Sequence, residues 1–141
     1  MIYHNRRIPV SSTKPIELID ITDEVKALVR KSGLVNGFVL VASRHTTASI
    51  RINEDCPELK KDIVEFLQRT VDSKRNYRHN RAASDGRLNA HSHLLSTLLG
   101  SSETIAVSGG EILLGSWQKI FFIELDGPRK SREVGVTVIG E

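Results

Sequence analysis

The sequence predicts a single α+β domain in which antiparallel, sandwich-like sheets pack against about three helices. Short segments with strand-like patterns outnumber segments with helical spacing. No internal repeat, low-complexity tract or long linker divides the 141 residues, a length typical of one domain with its own core. We therefore treat residues 1–141 as one domain and expect adjacent strands to be linked by hairpins.

The predicted strands are segments where apolar residues alternate with polar ones or run without interruption. They cover residues 16–21, 38–42, 50–53, 104–107, 111–114, 117–125 and 134–138. The run at 38–42 is apolar throughout, which predicts a strand buried on both faces. The opening segment alternates poorly and predicts no clear element.

Three segments have helical spacing of apolar residues. Thr22 is a candidate N-cap of the first, and Gly33 fits the C′ position that ends it. Pro57 opens the second, and Asn89 and Gly100 bound the third. The apolar residues predicted to face inward are Val25, Leu28, Val29, Leu59, Ile63, Phe66, Leu67, Leu94, Leu95, Leu98 and Leu99. Residues 72–88 are polar and irregular, and a loop of that length is usually functional or disordered.

Composition excludes several classes of protein. The net charge of +3 is mildly basic, but aromatic residues are only 5% of the chain, too few for a surface that stacks nucleic-acid bases. No segment has the roughly 20 apolar residues that cross a bilayer, and the first residues lack the apolar core of a signal peptide. Cys56 is the only cysteine, so neither an internal disulfide nor a cysteine-based zinc site can form. We expect a cytoplasmic protein that binds neither nucleic acid nor membrane.

The stretch from Arg44 to Asp55 concentrates hydrogen-bonding and proton-transfer groups. His45, Thr46, Thr47 and Ser49 follow an apolar run, and hydroxyls with turn N–H groups can hold phosphate oxygens. Alternatively, these hydroxyls only satisfy the backbone of their own turn. Further along, Asn53 and Glu54 precede a helix, and Glu54 is a candidate for acid–base or cation-binding work. Asp55 is better explained as a cap of that helix.

Four histidines lie in loops or next to element ends: His45, His79, His91 and His93. Imidazole exchanges protons near neutrality and is the commonest metal ligand, so these residues and Glu54 suggest a shared polar site. Residues two apart on a helix point in nearly opposite directions, so His91 and His93 cannot both serve it. The spacing places His91 against its own core and leaves His93 free to line a cavity or a subunit boundary.

Two later segments also carry polar candidates. Trp117 and Gln118 begin a strand, where a lone tryptophan is more often core than ligand platform. Arg129 lies in a turn with two further cations and could reach an anion, although such a turn is usually a solvated hairpin tip.

Taken in order, these motifs resemble the YjbQ family, also named UPF0047 and secondary thiamine-phosphate synthases. The match runs from about Gly37 to the C-terminus. It is carried by His45-Thr46-Thr47-Ala48-Ser49, Asn53-Glu54, His79, Asn89-Ala90-His91-Ser92-His93-Leu94, Leu99-Gly100, Gly115-Ser116-Trp117-Gln118, Glu124 and Asp126-Gly127-Pro128-Arg129. Ser116 departs from the threonine usual in the family but keeps the hydroxyl, and Arg87-Leu88 falls in a variable region.

The resemblance implies a homotrimer with sites near the subunit boundaries and a thiamine-phosphate synthase-like activity. That reaction joins hydroxymethylpyrimidine diphosphate to a thiazole phosphate and releases pyrophosphate, normally with Mg²⁺. The resemblance also implies catalytic roles for His45, Glu54 and His93. It implies substrate contacts from Thr46, Thr47, Ser49, Asn53, Trp117, Gln118 and Arg129. His45, His79 and His93 are the candidate ligands of a divalent metal, Mg²⁺ or Zn²⁺.

Two other functions fit the same residues. One is a metal-dependent hydrolase, or another enzyme, acting on a small phosphorylated metabolite. The other is a non-catalytic trimeric protein that binds an anionic metabolite.

Overall fold

The computed structural model describes all residues, Met1–Glu141, and confirms a mixed α+β fold with antiparallel sheets, here with four helices. A five-stranded sheet has the order β1-β8-β3-β5-β6, and a three-stranded sheet has the order β2-β7-β4. The strands are β1 Ile2–Val10, β2 Glu17–Asp20, β3 Gly37–Ser43, β4 Ala48–Asn53, β5 Ser102–Ser108, β6 Glu111–Ile112, β7 Lys119–Glu124 and β8 Arg132–Gly140. The helices are α1 Thr22–Ser32, α2 Pro57–Thr70, α3 Arg78–Ala82 and α4 Ala90–Leu99.

Two hydrophobic cores join three layers. The larger core contains residues from both sheets and from α1, with Val25, Val39 and Val136 among its fully buried members. The smaller core joins the outer face of the three-stranded sheet to α2 and α4 through Leu67, Leu95 and their neighbours. This arrangement lays α4 across β4, where the Ser96 hydroxyl donates to the Ala48 carbonyl.

Buried and exposed side chains alternate along the strands of the five-stranded sheet. One prediction about strand burial is wrong. The strand at 38–42 buries only one face: Val39 and Val41 are fully buried, whereas Phe38 is 55% and Leu40 is 38% exposed. The same sheet face carries exposed Tyr3 and Ile139, with Phe38 paired to Ile139 across the β3–β8 ladder. This apolar run therefore has one uncovered face, whereas the apolar run of β7 is buried on both faces, with Phe122 in the larger core and Phe121 in the smaller one.

The predicted hairpin connections are also wrong for most of the chain. Only β5 and β6 are both consecutive and paired, through the turn at Gly109 and Gly110. β8 lies between β1 and β3, and β7 lies between β2 and β4, so distant segments form the centre of each sheet.

Helix boundaries follow the predictions closely, but three inward-facing assignments fail. Gly33 adopts φ 74° and ends α1, and Pro57 begins α2. Phe66, Leu94 and Leu98 were predicted to face inward but are 59%, 44% and 66% exposed, because each helix rests on a narrower stripe around Leu67 or Leu95.

Two elements and two caps differ from expectation. Thr22 is the first residue of α1 rather than its N-cap, and its hydroxyl donates to Asp20 and accepts from the Ile120 N–H. β1 is a full strand, since it needs only one partner at the sheet edge, and that position also tolerates Pro9. The short helix α3 forms inside the segment predicted as irregular. Asp55 does not cap α2, which begins after Cys56; its carboxylate pairs with Lys60 Nζ at 2.6 Å instead. No helix is both long enough and apolar enough to cross a membrane.

Candidate functional site

A pocket of about 580 Å³ lies where α3 meets the start of α4. It is large enough for a small metabolite. We call it the histidine pocket; it is lined by Arg75, Asn76, Tyr77, Arg78, His79, Ala90, His93 and Leu94. Two guanidinium groups and no carboxylate are among these residues, so the lining favours an anion. Tyr77, Ala90 and Leu94 add an apolar surface.

His79 and His93 meet edge to face in this pocket, with ring centroids 4.7 Å apart. Burial lowers the pKa of His93, and the neighbouring His79 lowers it further, against the opposing effect of Asp126 and Asp85. A neutral His93 at physiological pH can accept a proton. His93 lines this pocket, whereas His91 does not and is partly buried with Nδ1 unpaired.

A series of hydrogen bonds leads from His79 to a partly buried carboxylate. His79 Nε2 lies 3.1 Å from Asn89 Oδ1, and Asn89 Nδ2 donates to Asp126 Oδ2 at 2.8 Å. Arg87 and Arg129 also donate to Asp126, at 3.0 Å and 2.8 Å. Burial by itself would raise the pKa of Asp126, but these donors outweigh it and lower the pKa from 3.8 to about 2. Asp126 is therefore an ionised anchor at neutral pH.

The Asn89 side chain forms hydrogen bonds with His79 and Asp126, which explains why it makes no capping hydrogen bond to α4. Asn80 takes over that task, since its Oδ1 accepts from the Ala90 N–H at 3.0 Å. Asn80 and His79 together fasten α3 to the start of α4, and this attachment fixes the two histidines relative to each other.

A second pocket, of about 550 Å³, lies beside the other end of α4. We call it the hydroxyl pocket; its lining contains no hydrophobic residue and consists of Ser43, Arg44, His45, Thr46, Ser96, Thr97, Gly100 and Ser101. Helix α4 therefore contributes to both pockets, with His93 and Leu94 in one and Ser96 and Thr97 in the other.

His45 is oriented in the hydroxyl pocket by the backbone of β8. The Glu133 N–H donates to His45 Nε2 at 2.8 Å, so Nε2 carries no proton. Burial lowers the pKa of His45 and the charge of Arg132 lowers it further, against Glu124 and Glu133. The neutral ring then carries its proton on Nδ1 and offers an N–H donor, which suits an anionic oxygen.

A buried ion pair lies behind this pocket. Arg132 donates through Nε and Nη2 to Glu124, and through Nη2 to Thr47 Oγ1 at 2.9 Å. Glu124 also accepts from Ser12 Oγ at 2.8 Å. Burial would raise the pKa of Glu124, but Arg132, the Asp126 N–H and Ser12 outweigh it and lower the pKa. The pair fixes the loop that carries His45 against the start of β8.

The predicted site residues divide into groups within one chain. His45 and Thr46 line the hydroxyl pocket, whereas His79 and His93 line the histidine pocket. Thr47 and Ser49 are 4% and 0% exposed and line neither pocket. The hydroxyl of Thr47 is used by Arg132, and that of Ser49 is buried without a partner.

The remaining predicted residues lie outside both pockets. Asn53 Oδ1 accepts from the Glu54 N–H, and Trp117 is 74% exposed. Gln118 Oε1 accepts from the Gly115 N–H at 2.7 Å and closes its own turn. Arg129 is held by Asp126 and, through its backbone, by Ser12.

The three predicted metal ligands do not come together in one chain. His79 and His93 adjoin, but His45 lies in the other pocket with its Nε2 lone pair already occupied. No group of three or more His, Cys, Asp or Glu side chains is arranged to hold a metal ion. Mg²⁺ also prefers oxygen ligands, which the histidine pair does not supply. The residues of a single chain therefore do not fit the predicted metal.

Sequence reasoning missed the residues that support the histidines, namely Arg75, Arg78, Arg87, Asn89, Asp126 and Arg132. Two signals for them were present. The polar segment 72–88 supplies the arginines of the histidine pocket, and Glu124 is a lone carboxylate in an apolar strand, which requires a buried cationic partner.

Comparison with known proteins shows the family to which this chain belongs. Residues 6–141 match the family model described as UPF0047 protein YjbQ-like. The chain is 44% identical over 141 residues to a UPF0047 protein of Methanothermobacter thermautotrophicus, covering 100% of this chain and 95% of that protein. It is 41% identical over 127 residues to one of Archaeoglobus fulgidus, covering 90% and 95%. A crystal structure of a YbjQ-like protein of unknown function from Sulfolobus solfataricus superposes with a TM-score of 0.93 at 39% identity, covering 99% of this chain and 98% of that one.

Proposed function

We propose that this chain, which belongs to the UPF0047 family of YjbQ-like proteins, is an enzyme that acts on small phosphorylated metabolites. The observation that carries the proposal is the histidine pair in a pocket that two arginines also line. Arginine binds phosphate oxygens through charged N–H donors, and neutral imidazole exchanges protons near pH 7. Anion binding and proton transfer are thus available at one place.

Within this class, we propose a transferase with thiamine-phosphate synthase-like activity. A C–N bond forms between the thiazole nitrogen and the pyrimidine methylene carbon, while the C–O bond to the diphosphate breaks and pyrophosphate leaves with the electron pair. Both substrates carry phosphate, so the reaction needs two anion sites. The two pockets beside α4 supply two, with Arg75 and Arg78 in one and Arg44 and His45 in the other.

The departing pyrophosphate gains negative charge, which cationic and N–H donors stabilise. In the proposed arrangement, Arg78 binds the diphosphate and His93 exchanges a proton with it. Tyr77 and Leu94 offer apolar contact to a heterocyclic ring. The N–H of His45 and the hydroxyl of Thr46 receive the phosphate of the second substrate. Glu54 keeps its proposed catalytic role only if a neighbouring subunit brings it to a pocket.

We further propose that the chain forms a homotrimer. Exposed Phe38, Leu40, Tyr3 and Ile139 share one face of the five-stranded sheet, and an apolar face of this kind favours association. Leu94 and Leu98 are also exposed on α4 beside His93, so a neighbouring subunit at that place would border the histidine pocket. Phosphorylated precursors as substrates agree with the predicted cytoplasmic location.

The decisive experiment incubates purified protein with the two precursors and measures thiamine phosphate and pyrophosphate. We expect product from the wild type, a rate lower by about 10²–10⁴-fold in His93→Gln, and a KM higher by about 10–100-fold in Arg78→Gln. Arg81→Gln is the matched control, since Arg81 belongs to the same short helix but does not line the pocket. Absence of product above a boiled control would refute the transferase, and tight precursor binding without turnover would instead establish a binding protein.

A further inference from the structure

We propose that Asp126 is a positioning residue for His79. Through the side-chain amide of Asn89, it holds the imidazole as the Nε2–H tautomer and leaves Nδ1 as the lone-pair atom available to a ligand in the histidine pocket. The inference rests on the proposed function only in treating that pocket as the reactive one. The tautomer itself follows from the hydrogen bonds of the chain.

The first step fixes the direction of the Asn89 amide. Asp126 is ionised at neutral pH and can only accept hydrogen bonds. The Asn89 atom that lies 2.8 Å from Asp126 Oδ2 must therefore be the donating nitrogen. A rotation of the amide by 180° would set its carbonyl oxygen against the carboxylate, and two acceptors repel each other at that distance.

The second step transfers this direction to the imidazole. With its nitrogen committed to Asp126, Asn89 presents Oδ1 to His79 Nε2 at 3.1 Å. A carbonyl oxygen only accepts, so Nε2 must carry the proton. A neutral imidazole has a single N–H, which leaves the lone pair on Nδ1. No group of the chain forms a hydrogen bond with His79 Nδ1, so this atom is free to meet a ligand.

Asp126 and Asn89 are held firmly in this orientation. The Arg87 guanidinium contacts both carboxylate oxygens of Asp126, with Nε on Oδ2 and Nη2 on Oδ1, and Arg129 adds a further donor to Oδ2. The Asp126 side chain is 12% exposed and Asn89 is 5% exposed. Neither group can turn toward solvent without breaking these bonds. Their orientation is therefore imposed on His79, whose ring lies at the surface.

In other proteins, a carboxylate that accepts a hydrogen bond from a functional histidine fixes the tautomer of that histidine. Here an amide lies between the carboxylate and the ring, so it transmits the hydrogen-bond direction without a charge–charge contact. Asp126 acts on His79 although it lines no part of the pocket.

The test reads the tautomer directly, without substrate. Protein labelled with ¹⁵N-histidine is examined at pH 8 by long-range ¹H–¹⁵N correlation, and His79→Gln identifies the His79 signals by their disappearance. In the wild type we expect a pyrrole-like Nε2 and a pyridine-like Nδ1. In Asp126→Leu, no acceptor remains beside the Asn89 nitrogen, so the Asn89 amide is no longer forced into one direction and the signals move toward a mixture of tautomers.

Arg87→Leu is the matched control because it removes charge and hydrogen bonds from Asp126 but leaves the link through Asn89 in place. A merely structural role predicts the same spectrum for both variants, whereas positioning predicts a change only in Asp126→Leu. If Asp126→Leu does not fold, Asn89→Ala serves instead, since it removes the acceptor from Nε2. A pyridine-like Nε2 in the wild type, or an unchanged tautomer in a folded Asp126→Leu or Asn89→Ala variant, overturns the proposal. Because no turnover is measured, failure of the transferase assay would leave this result standing.

Discussion

Asp126 makes the stability of the protein depend on pH in a way that can be calculated. Its pKa is lowered from 3.8 to about 2. Each pKa unit corresponds to about 1.36 kcal/mol, so Asp126 contributes about 2 kcal/mol when it is ionised. A lowered carboxyl pKa stabilises the fold above the unfolded-state value, and the contribution is lost as the pH falls through the folded-state value. It should be nearly complete at pH 5, about half present at pH 3 and absent well below pH 2.

The substitution Asp126→Asn tests this contribution, because it preserves the shape of the side chain and removes its charge. At pH 7 we expect the free energy of unfolding to fall by about 2 kcal/mol, which lowers the urea midpoint by about 1 M if the urea dependence is about 2 kcal/mol/M. Urea titrations of both proteins at pH 7, 5 and 3, followed by circular dichroism, give the difference at each pH. The gap should narrow by roughly half between pH 5 and pH 3. A gap of constant size over this range would show that the charge of Asp126 is not what stabilises the fold, and would refute the reasoning.

Two further predictions concern the buried ion pair and the exposed sheet face. Arg132→Met should destabilise the protein by about 3–5 kcal/mol, because it leaves the Glu124 carboxylate buried without its partner, and Glu124→Leu/Arg132→Met should recover most of that loss in urea titrations. A double variant less stable than either single variant would contradict this. Phe38→Ser should convert a trimer to smaller species in sedimentation velocity, whereas Val35→Ser, an exposed apolar residue outside the strand, should not. A monomeric wild type would disprove the proposed trimer.

The elements that the sequence predicted well are those decided by local chemistry. Gly33 ends α1 because φ 74° carries little penalty without a side chain. Pro57 begins α2 because its missing N–H lies where the helix needs no donor. Each of these helix boundaries depends on one or two neighbouring residues and can therefore be predicted from the sequence.

What the sequence could not predict depends on contacts between distant residues. The placement of β8 between β1 and β3 is a property of the whole sheet, and nothing near residues 132–140 indicates it. Burial of Phe38 was predicted from hydrophobicity alone, but covering that sheet face requires a partner layer that a single chain does not supply. The hydrogen bond between Asn89 and Asp126 joins residues 37 apart, and no spacing rule relates them.

In the candidate site, too, residue types could be predicted from the sequence, but contacts between distant residues could not. Residue type and position singled out His45, His79, His91 and His93, because few side chains exchange protons near neutrality, and helical spacing then separated His93 from His91. The separation of His45 from His79 and His93 into two pockets follows from how α4 lies on β4: it buries Ser92 and Leu95 and leaves His93 and Thr97 on its outer side.

The position of α4 also explains why the supporting residues matter as much as the histidines. One rigid helix carries His93 at one pocket and Thr97 at the other, and the Thr97 hydroxyl donates to the His93 carbonyl at 2.9 Å. The start of this helix is attached to Asp126 through Asn89, and its next turn is attached to the Leu125 carbonyl through Ser92 at 2.6 Å. Residues 125 and 126, directly after β7, thus hold the start of the helix that carries His93 and Thr97. In the proposed transferase, this attachment would lower the barrier only if the two bound substrates also bring their reacting atoms into contact.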